Sequence, residues 1–255
     1  MIGIIGALQK EVDGLLSMMK RRVDREYCGT VFSSGYIGGV RVVVAASSAG
    51  KVLSSMCAAV MCIKYKPSLL INTGIAGAVD PRLSLGDIVI SDFAVQHDLD
   101  TSAIDGTPKG WIQSLDIVKI PADKKAAAVL AEAARANGLN FVEGTIVSGD
   151  QFIADNAKKA ELFEQFGAAA CEMEGAAIAT VAAVNRIPFV ILRAISDNAD
   201  SGAVVDFPAF CRRAAANSIK VLSAALPELG QGADRGRQGA SRGEQGAGWG
   251  EQGAD

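Results

Sequence analysis

Acidic residues fall at the ends of apolar runs in this 255-residue chain. Glu174 and Asp197 bracket Cys171-Glu-Met-Glu-Gly-Ala-Ala, then Arg186-Ile-Pro, then Phe189-Val-Ile-Leu-Arg-Ala-Ile-Ser-Asp197. Separated carboxyl groups can divide proton-transfer work, one acting as acid and another as base. Few other side chains compete for that role. The single histidine, His97, offers a Ser-His-Asp triad one candidate base and excludes a His-rich metal site. Cys28, Cys57, Cys62, Cys171 and Cys211 are odd in number, widely spaced and mostly in apolar surroundings. They read as reduced core residues, not as a disulfide framework or paired metal knuckles. Taken singly, Glu174 is also a helix-capping glutamate and Asp197 a turn-forming aspartate, so the surrounding elements must decide.

The run Phe189 to Ile195 is too short for a solitary buried helix and is bounded by Pro188 and Ser-Asp-Asn. That predicts a buried strand with Asp197 just beyond its C-terminal end. Ala-rich Gly175 to Asn185 predicts a crossover helix opened by Glu174, with Ala168 to Cys171 as the strand before it. Upstream, strands are expected over Ile2 to Gly6, Val40 to Ala46, Ser68 to Asn72, Asp87 to Ser91 and Thr145 to Ser148. Helices are expected over Gln9 to Lys20, Gly50 to Lys64, Ala122 to Asn137 (amphipathic) and Pro208 to Leu226, the last with proline in its first turn. This alternation, with 49% hydrophobic and 5% aromatic residues and a mean hydropathy of +0.25, predicts an α/β domain with a substantial core. After Pro227 the composition turns to degenerate Gly-Gln-Gly-Ala repeats that cannot bury a core, so residues 1–229 are read as the domain and 230–255 as a disordered tail.

The net charge of −3 and pI near 5.3 give no footprint for DNA or RNA. No apolar run approaches the roughly 20 residues that span a bilayer, and no basic segment precedes the apolar N-terminus. A cytoplasmic protein without nucleic-acid or membrane partners is expected.

Ligands in open α/β sheets bind at the carboxyl ends of strands, and other predicted strands also end in candidate residues. The first leads into Ala7-Leu8-Gln9-Lys10-Glu11, placing Glu11 in a helix's first turn, where the helix dipole alone would account for it. Thr73-Gly-Ile-Ala-Gly-Ala78 reads as a small-residue loop that lets backbone approach a ligand, or as an ordinary glycine turn. It is neither a dinucleotide fingerprint nor a P-loop. Phe152, after Ser148-Gly-Asp-Gln, could stack on a flat ring or pack in the core. Each signal is weak, but Glu11, the 73–78 segment, Phe152, Glu174 and Asp197 all follow predicted strands.

Over roughly residues 1 to 226 the chain resembles the 5′-methylthioadenosine/S-adenosylhomocysteine nucleosidases of the purine nucleoside phosphorylase superfamily. The resemblance rests on Gly3-Ile-Ile-Gly-Ala with Glu11, Gly50-Lys-Val, Asn72-Thr-Gly-x-Ala-Gly, Gly86-Asp-Ile-Val, Ser148-Gly-Asp-x-Phe-Ile, Glu172-Met-Glu and Arg193-Ala-Ile-Ser-Asp. It implies a single-domain three-layer α/β/α fold with a central mixed sheet, a homodimer, an adenosine derivative as substrate, and no metal or cofactor. It implies N-glycosidic hydrolysis through an oxocarbenium-like ribose. Asp197 would protonate adenine N7, Glu11 would activate water and Glu174 would hold the ribose hydroxyls. Met173 would pack beneath the sugar, Phe152 on the purine, and main-chain groups at Ile153 would read the purine edge. Gly77 and Ser196 would join the substrate-binding set, and Leu8, Ala49 and Phe207 would line an apolar 5′-alkylthio pocket. Thr101 and Ile104, in the loop from Gln96, would complete a partner subunit's 5′ pocket. That loop departs from the family pattern after Ala103.

A phosphorylase needs cations for its phosphate nucleophile. Ser47-Ser-Ala-Gly-Lys and Thr73-Gly-Ile-Ala-Gly carry no arginine, and Lys51 is expected to point outward from a helix start. Ile75 stands where bacterial nucleosidases often carry serine, removing a hydroxyl beside the base. His97 is expected to pack or hydrogen-bond within its loop, and Asp98 and Asp100 to be solvated.

Overall fold

The computed structural model describes residues 1–197 and 207–243, with side chains for 1–196 and 212–231. Strand β1 (Ile2–Gly6) and helix α1 (Gln9–Met18) precede an antiparallel meander of β2 (Lys20–Tyr27), β3 (Thr30–Ile37) and β4 (Val40–Ala46). Then come α2 (Lys51–Tyr65), β5 (Leu69–Ala78), β6 (Ile88–Gln96), the single turn α3 (Ser102–Asp105) and the short β7 (Ile120–Pro121). The remainder is α4 (Lys124–Ala136), β8 (Phe141–Ser148), α5 (Asn156–Phe166), β9 (Ala168–Glu172), α6 (Gly175–Val184), β10 (Phe189–Asp197) and α7 (Phe207–Gly243).

All strands join one mixed sheet in the order β10-β6-β8-β9-β5-β1-β4-β3-β2, with β7 on β6. Strand β10 also pairs with β5, so β5, β9, β8, β6 and β10 close on themselves while β1, β4, β3 and β2 continue as an open wing. Side chains alternate across a strand, and here both faces are covered. Ile2, Ile4, Val42, Val44, Ile71, Val190 and Leu192 pack against α1, α4 and α7 through Leu15, Leu130 and Leu222. The intervening Ile5, Val43, Leu70, Phe189 and Ile191 pack against α2 and α6 through Met61 and Ile178. This is the expected three-layer mixed-sheet architecture, with part of its sheet rolled shut.

One junction in this sheet positions everything that follows. Strand β1 runs parallel to β5 and its pairing ends at Ile5 opposite Asn72. Strand β9 runs antiparallel to β5 and its Cys171 lies opposite Gly77. The two therefore approach the same edge of β5 head to head, and Thr73–Ala76 between them pair only with β10 on the other edge.

Several expectations change. Residues 73–78 are not a loop but the second half of β5, because β10 pairs with it continuously from Leu70 to Gly77. Asp197 is the last residue of β10, opposite Gly77 after a register shift, and not a residue past the strand. Strands β2 and β3 were not expected. Lys20–Tyr27 is polar and exposed because β2 is the sheet's edge, where charges deter further pairing. The closing helix, expected over Pro208 to Leu226, continues through Pro227 to Gly243, so helical backbone enters the tail segment. Leu226 and Leu229 are buried, and a Cβ on Gly230 would lie 2.5 Å from Val40 Cγ2, so the helix is held against the wing beyond the proline. Each further residue then adds a backbone hydrogen bond to a turn already formed. Residues 244–255 lie outside the described residues.

Truncation after Gln231 retains both buried leucines, so the midpoint of thermal unfolding should stay within about 3 °C of the full chain, the range of surface changes in a domain of this size. A larger fall in a calorimetric scan would give the removed residues 232–255 a stabilising role.

Candidate active site

At the head-to-head junction the open edge of β5 is filled by side chains. Arg193, from the middle of β10, is 1% exposed. Its Nη1 donates to the Ile75 carbonyl at 3.0 Å, and Nη2 donates to Asn72 Oδ1 at 2.5 Å, to Glu174 Oε2 at 3.3 Å and to Glu172 Oε2. Burial works against its charge, but Glu172, Glu174 and Glu11 hold the guanidinium firmly protonated. Asn72 in turn donates through Nδ2 to the Ile5 carbonyl at 2.9 Å, closing the gap to β1. A buried cation is tolerated only with such a set of acceptors.

Glu172 ends β9 and caps α6 in place of Glu174. Its carboxylate accepts from the Glu174 and Gly175 amides at 2.8–3.0 Å, and Ser148 Oγ donates to it. Ser148 Oγ also accepts from the Ala176 amide at 2.7 Å. The first amides of α6 are thus satisfied, and Glu174, although it occupies the N-cap position, makes no side-chain cap. Its carboxylate turns instead to Arg193 and to the Gly50 amide, which donates to Oε1 at 3.0 Å. The helix-capping alternative for Glu174 is set aside on this geometry. Burial, then the charge of Glu172, push the Glu174 carboxyl up to about 7 against the pull of Arg193 and the Gly50 amide.

Glu11 is 2% exposed, and its two carboxylate oxygens take different backbone partners. Oε2 accepts from the Ala7 and Leu8 amides, each at 2.8 Å, as a cap on α1. Oε1 accepts from the Ile75 amide at 3.1 Å, on the edge of β5 that β1 leaves open. This backbone bond holds Glu11 whatever side chain stands at position 75, and the Ile75 side chain packs into the core instead. A carboxylate oxygen has two lone pairs, so Oε1 keeps capacity for a water. Gly74 makes the arrangement possible, since a Cβ there would lie 2.6 Å from both Glu11 Oε1 and Arg193 Nη1.

The remaining predicted residues lie on several other elements. Gly77 and Ser196 flank the end of β10, Gly77 opposite Asp197 and Ser196 Oγ donating to the Ala76 carbonyl at 3.4 Å. Met173 is half-buried between the two glutamates. Ile153 is buried with α5, while Phe152 beside it is 66% exposed. Leu8 precedes α1 and Ala49 precedes α2, both exposed. Ile104 is 89% exposed and Thr101 Oγ1 bonds Asp105 and Thr107 within its own loop. The side chains of Asp197 and Phe207 lie outside the described residues. Lys51 does not point outward. Its Nζ meets Asp98 Oδ1 at 2.6 Å, so Asp98 is not simply solvated either; burial would raise its carboxyl, but Lys51 and the Asp150 amide keep it below the usual range. His97 is buried in its loop as expected, and burial holds its imidazole below its ordinary value. Asn72, Ser148, Glu172 and Arg193 stood in the quoted motifs without assigned roles. A charge inside the apolar run Phe189 to Ile195 was the available signal for Arg193.

A sequence profile of the phosphorylase superfamily matches residues 1–227, and the chain belongs to that superfamily. A 5′-methylthioadenosine/S-adenosylhomocysteine nucleosidase of Shewanella pealeana is 38% identical over 229 residues, 89% of this chain and 99% of that protein. The Neisseria meningitidis enzyme of that name, solved in complex with methylthio-immucillin-A, superposes with a TM-score of 0.85 at 33% identity over 89% of this chain and 99% of its own. A futalosine hydrolase of Helicobacter pylori strain 26695 gives 0.83 at 34% identity, covering 89% and 97%. Within the superfamily this chain takes its place among the methylthioadenosine/S-adenosylhomocysteine nucleosidases and their near relatives.

The raised Glu174 carboxyl has a sign that can be read in stability. An acid whose folded value lies near 7, above an ordinary 4.5, favours folding while neutral and loses that contribution as pH rises from 4.5 through about 7. Glu174→Gln should therefore lose less stability than wild type across that window in urea titrations, and identical pH slopes would count against the shift.

Proposed function

We propose that the protein hydrolyses the N-glycosidic bond of 5′-methylthioadenosine, S-adenosylhomocysteine or both, releasing adenine and the 5-thioribose product. The observation that carries this reading is the Glu11 carboxylate, buried, fixed by three amides and set beside Glu174 and Arg193. A base held in one orientation can aim a water at an anomeric carbon without reorganising during the reaction. Asp197, at the end of β10, protonates N7 of the leaving adenine, so the bond breaks toward an oxocarbenium-like ribose and a neutral base. Glu11 takes the proton of the attacking water. Glu174 grips the ribose hydroxyls, and its neutral form can donate as well as accept. Phe152 stacks on the purine, Ile153 main-chain groups read its edge, and Met173 lies under the sugar. Gly77 and Ser196 border the base pocket, and Leu8, Ala49 and Phe207 enclose the 5′ substituent.

The ionic contacts favour water over phosphate. Arg193 is committed to Glu172, Glu174 and Asn72, and Lys51 to Asp98, so neither of these two cations of the described residues is left to hold a phosphate nucleophile. A homodimer accords with the 89% exposure of Ile104 and with Val52 and Ile63, which leave an apolar stripe of α2 exposed. In that assembly Thr101 and Ile104 would complete the partner subunit's 5′ pocket. The free thiols of Cys57 and Cys62 suit a cytoplasmic setting, and no helix among the described residues is long and apolar enough to cross a membrane.

Purified protein should release adenine from methylthioadenosine in phosphate-free buffer, and strict dependence on phosphate would overturn the hydrolytic reading. The nature of the 5′ group is decided by comparing kcat/KM for methylthioadenosine, S-adenosylhomocysteine, 5′-deoxyadenosine and aminodeoxyfutalosine. Asp197→Asn should lower kcat by about 10²–10⁴, the usual worth of a general acid. Wild-type turnover in that variant would remove Asp197 from the proton-transfer role.

A further inference from the structure

Outside the acid–base machinery, three charged residues from three segments form a closed circuit at the start of α2. The Lys51 amide donates to Asp150 Oδ1 at 2.7 Å. Lys51 Nζ reaches Asp98 Oδ1 at 2.6 Å and Gln96 Oε1 at 3.3 Å. Asp98 Oδ2 accepts from the Asp150 amide at 2.9 Å, returning to the residue where the circuit began. The Lys51 and Asp98 side chains are 17% and 22% exposed, so solvent screens their pairing only in part. The N-terminal end of α2 adds a partial positive charge that favours both aspartates.

The circuit touches two binding elements at once. One residue before Lys51, the Gly50 amide is the donor to Glu174 Oε1. Gly50 has φ +97°, and a Cβ there would come within 3.2 Å of Asp150 Oδ1, so the close approach of these two turns requires glycine. Two residues after Asp150 stands Phe152. The foot of that turn is tied by the Gly149 amide to the Glu172 carbonyl at 3.2 Å, and Gln151 and Phe152 beyond it are exposed.

We propose that Lys51, Asp98 and Asp150 are positioning residues that hold the Phe152 turn and the Gly50 amide in one fixed relation, presetting the purine platform and the Glu174 carboxylate together. This rests on reading Phe152 as the purine platform. A plain helix cap would need only the Asp150 carboxylate and would leave the Lys51 ammonium and Asp98 irrelevant to binding. With the circuit broken, the turn samples other conformations and substrate binding must select the competent one, which weakens apparent affinity in proportion to its population. Glu11 and the backbone of Asp197 are held elsewhere, by β5, so the chemical step is spared.

The test uses Lys51→Met, Asp98→Asn and the double variant in the full chain, each first shown by thermal unfolding to be folded. Each single variant should raise KM for methylthioadenosine about tenfold with kcat within about twofold, the pattern of lost uniform binding. The double variant should be no worse than the more impaired single one, as expected for two groups in one circuit. Amide exchange without substrate should accelerate at Lys51 and Asp150 in Lys51→Met. Unchanged KM, fully additive losses, or faster exchange with unaltered KM would each overturn the proposal. If the wild-type protein cleaves no adenosine thioether, the hydrolase reading falls on its own. The positioning role is then read from adenine affinity by calorimetry, which should weaken about tenfold in Lys51→Met by the same population argument; equal affinities would overturn it.

Discussion

A guanidinium shut away from water needs acceptors from every side, and Arg193, on β10, finds them on three other elements: Asn72 and the Ile75 carbonyl on β5, Glu172 at the end of β9, and Glu174 at the start of α6. Stranding a charge at this depth would cost several kcal/mol, so the ends of these elements are brought to one point by the same requirement that keeps the cation paired. The electrostatics of the site follow from it. Arg193 partly offsets the repulsion among Glu172, Glu174 and Glu11, yet burial still leaves Glu174 with a carboxyl near neutrality.

The backbone supplies the other half of the constraint. A continuous sheet would have used the Ile75 amide and carbonyl for strand pairing. Because β1 and β9 meet β5 from opposite directions and stop short of each other, those groups are left to Glu11 and Arg193. Buried peptide groups must be bonded, and here side chains that carry chemistry do it. The junction is therefore a gap in the sheet filled by acidic, basic and amide side chains, and Gly74 is the residue whose missing Cβ leaves them room.

The strands and helices that cover the sheet were legible because apolar residues repeat at the period of the element that buries them. β1 and β4 have the expected limits, and α1, α2, α4 and α6 lie within a few residues of theirs. Segments whose state depends on a partner were not legible. β2 is polar because it is an edge, and Thr73–Ala78 is small and glycine-rich yet extended because β10 lies alongside it. The position of Glu11 in the first turn of α1 was visible, whereas its bond to Ile75, 64 residues away, was not. Lys51 illustrates the same limit: helix periodicity cannot report that Asp98 reaches across to it.

The amino-acid sequence by itself determined which residue types were available for chemistry, three acids near strand ends with one histidine and an arginine inside an apolar run, and the alternation of elements that carries them. Its motifs determined the family. Tertiary structure decided which glutamate caps α6 and which is turned to the site, whether Lys51 is solvated or paired, and that two strands end facing one another across β5. Those outcomes depend on contacts between residues far apart in the chain, and local propensity carries no term for a partner supplied by another element.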